Sequence, residues 1–534
     1  MSFFLQWWLF IRENRRALLL WGCVVVLTIF PAVFFPHSFD LAVFLRVVSS
    51  LQSGGVLYHD IVEIKPPLVY DVVRLFSALG GTSEVGFHLV DSLYLLLALF
   101  VSVYLLYLAT KNITVALLST WFMALTYVSN GFAVVVQSES LALLPFVLFV
   151  YVVLRDQERV GITYGFVIGA IVAVLTGLKL TLGAAVLVVA VLDISERLNA
   201  GNRYARKWLG VISGMVCVSL IVWRTLLNPL SLEGYTLVMS FTKSYAAIPA
   251  INGEWIRTAW KSVIVLLFDR YSFTLSLLAI VGFVVLFIAE DRQRKIMRVM
   301  TLLFSVMLLT IVLERKFFGY HFFRLVVPLS ILSAFGAIEL RNRLRTWWKQ
   351  GKERVILSLV VFILIVWSPL ARLVSITEPT VSAFFYRGPD GVINEQRVVA
   401  NLYRDEETTI CDSIRRYNRT DEHVSVVAMN SPRIAMLLGE SGKSFVAGSH
   451  FALADYAPPE WQQRFADEMR RARWLVVGTG DSIELFNKPP TNSIDIISRR
   501  EPFLSVFGAF DSRWQTEHFV VYERKSVANP TTTQ

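Results

Sequence analysis

Four short polar segments interrupt a strongly apolar chain, and each holds residues that could act on a charged or hydroxylated substrate. The first contains Asp40, which stands next to Phe39 just beyond the first apolar stretch. A carboxylate at this place can serve as a general base at the mouth of a cavity. It can equally be an interfacial acid that solvates the start of a helix. The sequence alone leaves both interpretations open.

The second segment runs from Gly54 to Pro67 and ends in Lys65-Pro66-Pro67. Two prolines fix the backbone beside the lysine, so Lys65 is suited to face a phosphate at the depth of the lipid headgroups. An ordinary interfacial loop would show the same residues.

Glu139 marks the third segment, where Gln137-Ser138-Glu139-Ser140 opens an apolar stretch. An acid so close to hydrocarbon needs a wet cavity or a partner. Alternatively, it snorkels at a helix N-terminus, which favours negative charge.

The fourth segment, residues 314–324, combines cations with aromatic side chains in a tight turn. Its basic residues are Arg315, Lys316, His321 and Arg324, and five aromatic residues stand among them. A specific anion such as a lipid phosphate would explain the cations. Simple anchoring of the turn at the membrane interface is the alternative.

Membrane-spanning helices must position these segments, because 55% of the 534 residues are hydrophobic. Apolar stretches about long enough to cross a bilayer recur up to Val374, and none follows. We predict eleven spans, near 17–36, 88–109, 113–130, 139–154, 161–177, 180–194, 208–224, 271–289, 298–313, 321–340 and 354–374. If 161–177 and 180–194 form one bent segment, every later loop changes side.

Basic residues set the predicted orientation. The chain up to Val374 carries 33 Lys and Arg against 20 Asp and Glu, whereas the rest carries 18 against 21. The basic residues concentrate in alternate loops, which places the N-terminus inside, the C-terminus outside and the chain in the cytoplasmic (inner) membrane. The first span lacks a small-residue cleavage site and is expected to remain as an anchor. Because the basic excess is topogenic, it gives no support to a nucleic-acid partner.

We therefore predict a polytopic α-helical membrane domain, 1–374, with large outer loops at 37–87 and 225–270, and a soluble α/β domain, 375–534. In the first loop, Leu41–Leu51 and Leu68–Leu79 have the pattern of surface helices. In the tail, predicted strands at Val424–Met429, Ser444–Ala447, Trp474–Val477 and Phe519–Tyr522 alternate with predicted helices at Glu395–Tyr417 and Pro459–Arg473. Cys411 stands alone there, so no intramolecular disulfide is expected.

Together these features resemble the C-type (GT-C) fold of membrane glycosyltransferases, the group that contains protein O-mannosyltransferases and the lipid A aminoarabinose transferase. That family has an acid after the first span and a long outer loop, with a G-x-x-Y-x-D-x-x-x-x-K-P-P pattern in many bacterial members. Here the pattern runs from Gly55 to Pro67. Glu139 and Tyr320-His321 are also similar to features of those members. Ile64 departs from relatives that carry Glu before Lys-Pro-Pro.

The resemblance implies transfer of a sugar, with inversion, from a polyisoprenyl-phosphate donor to a lipid, glycan or protein acceptor of the cell envelope. Asp40 would deprotonate the acceptor hydroxyl. The leaving phosphate would be held by Lys65, Arg315, Lys316, His321 and Arg324. The acceptor or the loop would be positioned by Tyr58, Asp60 and Glu139. No nucleotide cofactor is expected, and a divalent cation on Asp40 and Glu139 is left open.

Two other classes of protein compete with this interpretation. A transporter or flippase of lipid-linked sugars would also need outer cations, but its ionisable residues usually lie at mid-bilayer in several spans, where only Lys179 stands here. A scaffold whose tail binds envelope proteins would not need eleven spans.

Overall fold

The computed structural model describes residues 3–155, 161–196, 203–247, 272–288, 291–315, 319–349, 404–417, 422–428, 431–439, 444–481, 486–487 and 491–525, with shorter stretches within 256–264 and 358–380. The chain forms two compact units. The first unit comprises Met1–His37, Pro66–Arg224 and Gly253–Ala400, and the second comprises Ser38–Lys65, Thr225–Asn252 and Asn401–Gln534. Parts of both predicted outer loops thus group with the C-terminal segment.

Long helices follow one another through the first 349 residues. In chain order they are α1 Phe3–Ile29, α2 Phe39–Gln52, α3 Pro67–Gly80, α4 Glu84–Thr110, α5 Ile113–Ser129, α6 Ser138–Leu141, α7 Leu143–Arg155, α8 Ile162–Leu178, α9 Val186–Glu196, α10 Arg203–Val222, α11 Pro229–Ala247, α12 Phe273–Ile288, α13 Asp291–Glu314 and α14 Val326–Lys349. Short 3-10 helices cover Leu180–Ala185 and Gly319–Leu325. Helices are therefore present where the two surface helices were predicted, as α2 and α3, and Leu41–Val48 of α2 are buried.

Ten of these helical segments match the first ten predicted spans. Five are long and apolar enough to cross a membrane by themselves, and five more are apolar and shorter. On the outward faces of these helices, Leu19, Leu27 and Ile288 are each at least 70% exposed, as expected for apolar side chains that contact lipid. The chain is thus a multi-pass membrane protein. The eleventh predicted span, 354–374, lies largely outside the described residues, so the count of eleven stays a prediction.

The relative direction of α8 and α10 shows whether the predicted spans 161–177 and 180–194 are separate or form one bent segment. A Cβ atom at Gly165 would lie 2.0 Å from the carbonyl oxygen of Lys207, and one at Gly169 would lie 2.0 Å from that of Val211. Residue numbers rise together along the contact, so the two helices are parallel. A single return crossing must therefore join them. The segment that contains α9 supplies it, with Lys179 extended at the break, and the two predicted spans are separate.

In the second unit the C-terminal segment forms the predicted small α/β layer. Its strands are β1 Val424–Val427, β2 Trp474–Gly478, β3 Phe510–Gln515 and β4 Phe519–Arg524, and the sheet order is β1-β2-β4-β3. The pair β1–β2 is parallel and the other two pairs are antiparallel. The helices are α15 Arg404–Tyr417, α16 Ser431–Leu438, α17 His450–Leu453, α18 Pro459–Arg471, α19 Ser493–Arg499 and α20 Phe503–Phe507. The part 395–403 of one predicted helix lies outside the described residues.

Two strand assignments differ from the prediction. Ser444–Ala447 does not enter the sheet. It makes an isolated bridge to Val62, whose N–H donates to Phe445 O at 2.6 Å. The strand β3 was not predicted, because its residues are mostly polar and exposed, as suits the edge of a sheet. A local apolar pattern therefore found the buried strands, including β1 at one edge of the sheet, and missed the exposed strand β3 at the other.

Candidate active site

Asp40 lies in the first turn of α2, within the second unit. Ser38 caps this helix, since its Oγ accepts the Leu41 N–H at 3.1 Å. The helix N-terminus favours a negative charge at this position. The Oδ2 atom of Asp40 is buried and has no hydrogen-bond partner among the described residues. Because a buried oxygen without a donor is costly, this atom is suited to accept a hydrogen bond from a substrate.

The backbone of Lys65 is fixed from both sides. Its N–H donates to Glu63 Oε2 at 2.6 Å, and its carbonyl accepts the Tyr58 hydroxyl at 2.8 Å. Burial raises the pKa of Tyr58 well above its ordinary value, so this hydroxyl stays a neutral donor. The half-buried side chain of Lys65 therefore extends from a backbone that is fixed directly before Pro66 and Pro67.

Tyr58 itself is held in the left-handed region, with φ 69°. Its N–H donates to Ile61 O at 2.9 Å. Helix α11 approaches it closely, because a Cβ atom at Gly234 would lie 2.2 Å from the Tyr58 carbonyl oxygen. A residue with a side chain at 234 would displace this turn, so Tyr58 works as a structural element of the loop.

Asp60 closes the same loop. Its Oδ2 accepts the Val56 N–H at 2.8 Å, and its Oδ1 lies 2.8 Å from His59 Nδ1. Burial alone would raise the pKa of Asp60, but these hydrogen bonds and the charges of His59 and Arg464 outweigh it and lower the pKa. These contacts fix Asp60 within the loop, and its part in positioning the acceptor stays a prediction.

Glu139 belongs to a buried ionic cluster in the first unit. Its Oε1 lies 2.6 Å from Lys179 Nζ and 3.0 Å from Arg324 Nη2. A second acid, Glu314, lies 2.6 Å from Arg324 Nη2 and 3.4 Å from Lys179 Nζ. The cluster joins α6, the α8–α9 break, the end of α13 and the turn before α14. Among the described residues, two carboxylates thus face two cations.

The predicted phosphate ligands of the fourth segment have different surroundings. The Arg324 side chain is fully buried between the two acids. His321 is also buried, with Nδ1 3.3 Å from Glu314 Oε2. Arg315 is half-buried and has a left-handed backbone, φ 56°, whereas Lys316 lies outside the described residues. Arg324 and His321 thus both contact Glu314, and their assignment to the donor phosphate stays a prediction.

Asp40 and Glu139, the predicted metal ligands, belong to different compact units. The described residues contain one group of three possible metal ligands, Glu406, Glu517 and His518, in the C-terminal segment. His518 Nδ1 already lies 2.7 Å from Glu406 Oε1.

Sequence reasoning did not assign Lys179 and Glu314 to the site. A signal was present for both, because each is an isolated charge beside a long apolar stretch and needs a partner of opposite sign. The sequence does not indicate which residue of opposite charge each of them contacts, because the members of the cluster are far apart along the chain. Glu139 and Arg324 are 185 positions apart in sequence.

The fold has a counterpart among solved structures. No protein-family model matches the chain, and no curated protein matches it. A crystal structure of ArnT from Cupriavidus metallidurans bound to undecaprenyl phosphate aligns with a TM-score of 0.61 and 12% identity, over 96% of this chain and 99% of that one. The Archaeoglobus fulgidus oligosaccharyltransferase tethered with an acceptor peptide aligns at 0.47 and 8%, over 96% and 74%, too weakly to support an argument. The chain thus shares the fold of ArnT, and the predicted resemblance to the GT-C membrane glycosyltransferases is confirmed at the level of the fold.

Proposed function

We propose that the protein is an integral-membrane glycosyltransferase that moves a sugar from a polyisoprenyl-phosphate donor to an acceptor on the extracytoplasmic face. The carboxylate of Asp40, with its buried and unpartnered Oδ2, carries this proposal. Support for the donor class comes from the shared fold, because the ArnT structure contains undecaprenyl phosphate. A lipid donor can leave its chain in the membrane while its phosphosugar enters a polar site.

The proposed reaction is one in-line displacement at the anomeric carbon. Asp40 accepts the proton of the acceptor hydroxyl as that oxygen attacks. The bond between the anomeric carbon and the phosphate oxygen breaks, and polyisoprenyl phosphate leaves with the electron pair. Lys65 stabilises the negative charge that develops on this phosphate. The configuration at the anomeric carbon inverts.

The other predicted residues take supporting roles in this proposal. Tyr58, Asp60 and Glu63 shape the loop that presents Lys65. Arg324 and His321 act as positioning residues, because Arg324 contacts Glu139 and Glu314 and His321 contacts Glu314. Arg315 and Lys316 remain candidates for the phosphate. In this proposal the protein resides in the inner membrane, with the N-terminus on the cytoplasmic side and the C-terminal segment on the outer side, as the loop charges predict.

Transfer in reconstituted liposomes tests the proposal, with a panel of polyprenyl-phosphate sugars as donors and an envelope lipid extract as acceptor. Asp40→Asn should lower turnover about 10²–10⁴-fold, the usual contribution of a general base. Asp71→Asn is the matched control, since Asp71 already pairs with Arg224 at 2.9 Å, and it should change turnover less than threefold, by about 0.6 kcal/mol.

Lys65→Ala should raise the KM for the donor and lower turnover, and Lys65→Arg should restore part of both. Wild-type protein that consumes no donor but moves it between leaflets would reject the transferase in favour of a flippase. Folded Asp40→Asn protein with normal turnover would reject Asp40 as the base.

A further inference from the structure

A polar pocket of about 330 Å³ lies within the second unit, at the C-terminal end of α2. Its walls come from the Ser50–Gly55 end of α2, from Asp60, from Ser444 and Phe445, and from α18. This volume is at the lower end of the range of about 300–1,000 Å³ for small-molecule sites. We call it the α2-end pocket.

The pocket is separate from the proposed reaction centre. Asp40 lies in the first turn of α2, and Ser53 follows its last residue. Thirteen residues at about 1.5 Å each place the two about 20 Å apart along the helix. A ligand in the α2-end pocket would therefore not be the group that reacts at Asp40.

Short contacts hold the walls of the pocket together. Val62 bridges to the 444–447 segment, and Arg46 Nη1 donates to Ala447 O at 3.3 Å. Arg464 Nη1 donates to His59 O at 2.6 Å, and its guanidinium lies 4.6 Å from the centre of the Phe445 ring. The first outer loop and the C-terminal segment thus build one preformed site.

Its two acids are engaged by the protein itself. Glu468 is buried, and its Oε2 accepts from Ser444 Oγ at 2.7 Å and from the Phe445 N–H at 3.3 Å. Burial raises the pKa of Glu468, although Arg46 and Ser444 act against that rise. Asp60 is occupied by Val56 and His59. Asp60 stays ionised, because its pKa is lowered, and its charge is offset by Arg464, whose Nη2 lies 3.9 Å from Asp60 Oδ1.

Of the two cations, Arg464 is engaged by the protein, since it donates to His59 O and lies 3.9 Å from Asp60 Oδ1, whereas Arg471 differs. Arg464, Glu468 and Arg471 project from one face of α18 at positions i, i+4 and i+7. Arg471 is exposed and makes no ion pair or hydrogen bond with the described part of the chain. Beside it stand the hydroxyls of Ser50 and Ser53. Ser53 Oγ donates to Ser49 O at 3.0 Å, which leaves its oxygen as an acceptor for a hydroxyl. The pocket thus offers a cation at one end and partners for hydroxyls at the other.

We propose that the α2-end pocket binds one anionic saccharide unit, with the carboxylate or phosphate group against Arg471 and Arg464 and the ring hydroxyls against the serines and the end of α2. This inference does not rest on the proposed transfer reaction, because binding is measured without turnover. It gives the C-terminal segment a part in holding a saccharide at a distance from Asp40.

Calorimetric titration of the full chain in nanodiscs tests this, with glucuronate, glucose 6-phosphate, glucose and inorganic phosphate as probes. Glucuronate or glucose 6-phosphate should bind saturably and at least tenfold more tightly than glucose, as one charge-assisted hydrogen bond predicts. Binding of only one of the two identifies the anionic group. Inorganic phosphate that binds as well as the sugars would overturn the saccharide assignment, as would the absence of saturable binding.

Arg471→Gln should weaken binding about tenfold. Arg470→Gln removes the same charge one position away, where the arginine pairs with Asp467, and should change affinity less than twofold, by about 0.4 kcal/mol. Equal losses in the two variants would overturn the proposal. Asp40→Asn should keep its affinity for the saccharide while it loses transfer, so failure of one proposal is distinguishable from failure of the other.

Discussion

Replacing Arg324 with Met should destabilise the protein strongly, because this guanidinium holds the buried ionic cluster together. Its Nη2 lies 3.0 Å from Glu139 Oε1 and 2.6 Å from Glu314 Oε2. Its Nη1 donates to Thr310 Oγ1 at 3.0 Å and to Thr181 Oγ1 at 3.3 Å. Methionine is apolar and replaces none of these four contacts.

The magnitude follows from burial. Arg324→Met leaves Lys179 as the remaining cation of the cluster for two acids, and removing one partner of a buried ion pair costs about 3–5 kcal/mol. Arg343→Met is the matched control. Arg343 is 60% exposed and pairs with Glu339 at 2.6 Å, so its loss should cost about 0.3–0.5 kcal/mol. Adding Glu139→Gln to Arg324→Met restores one acid to one cation and should recover part of the loss.

Thermal unfolding of the purified chain in one detergent measures the three variants, and the donor KM is measured alongside. We expect the Tm to fall far more for Arg324→Met than for Arg343→Met, with partial recovery in the double variant. If Arg324→Met instead kept the Tm of the control and raised the donor KM at least tenfold (about 1.4 kcal/mol), the cluster argument would be refuted. Arg324 would then be a phosphate ligand.

Three further predictions concern other parts of the molecule. Burial lowers the pKa of His450 from 6.5 to about 3. Between these two pH values the unfolded chain binds a proton that the folded chain does not, so the free energy of unfolding should fall by about 1.4 kcal/mol for each pH unit below 6.5. His450→Gln should flatten that part of a Tm-against-pH curve. Gly169→Ala would place Cβ 2.0 Å from Val211 O and should cost about 1–3 kcal/mol by overpacking, whereas Gly22→Ala, with nothing within 4 Å of its Cβ, should not lower the Tm. Burial raises the pKa of Cys411 to about 12, so mass spectrometry should find this thiol modified by maleimide at pH 8 only after unfolding.

Local properties of the sequence were enough to predict the helices. The length of an apolar stretch and its helical period are readable within about twenty residues, which is why ten predicted spans and both surface helices match described helices. The same argument found the buried strands β1, β2 and β4. The polar edge strand β3 has no such local signal.

The partners of the charged residues were decided by tertiary structure alone. Lys179 and Glu139 are 40 positions apart, and Arg324 and Glu139 are 185 apart. Arg324, predicted to hold a phosphate, contacts Glu139 and Glu314, because a buried charge takes the partner that packing brings to it. Likewise, Val62 pairs with the 444–447 segment, which joins the first outer loop to the C-terminal segment in one unit. Sequence determined which segments cross the membrane and which residues could do chemistry, and only packing decided which of those residues meet.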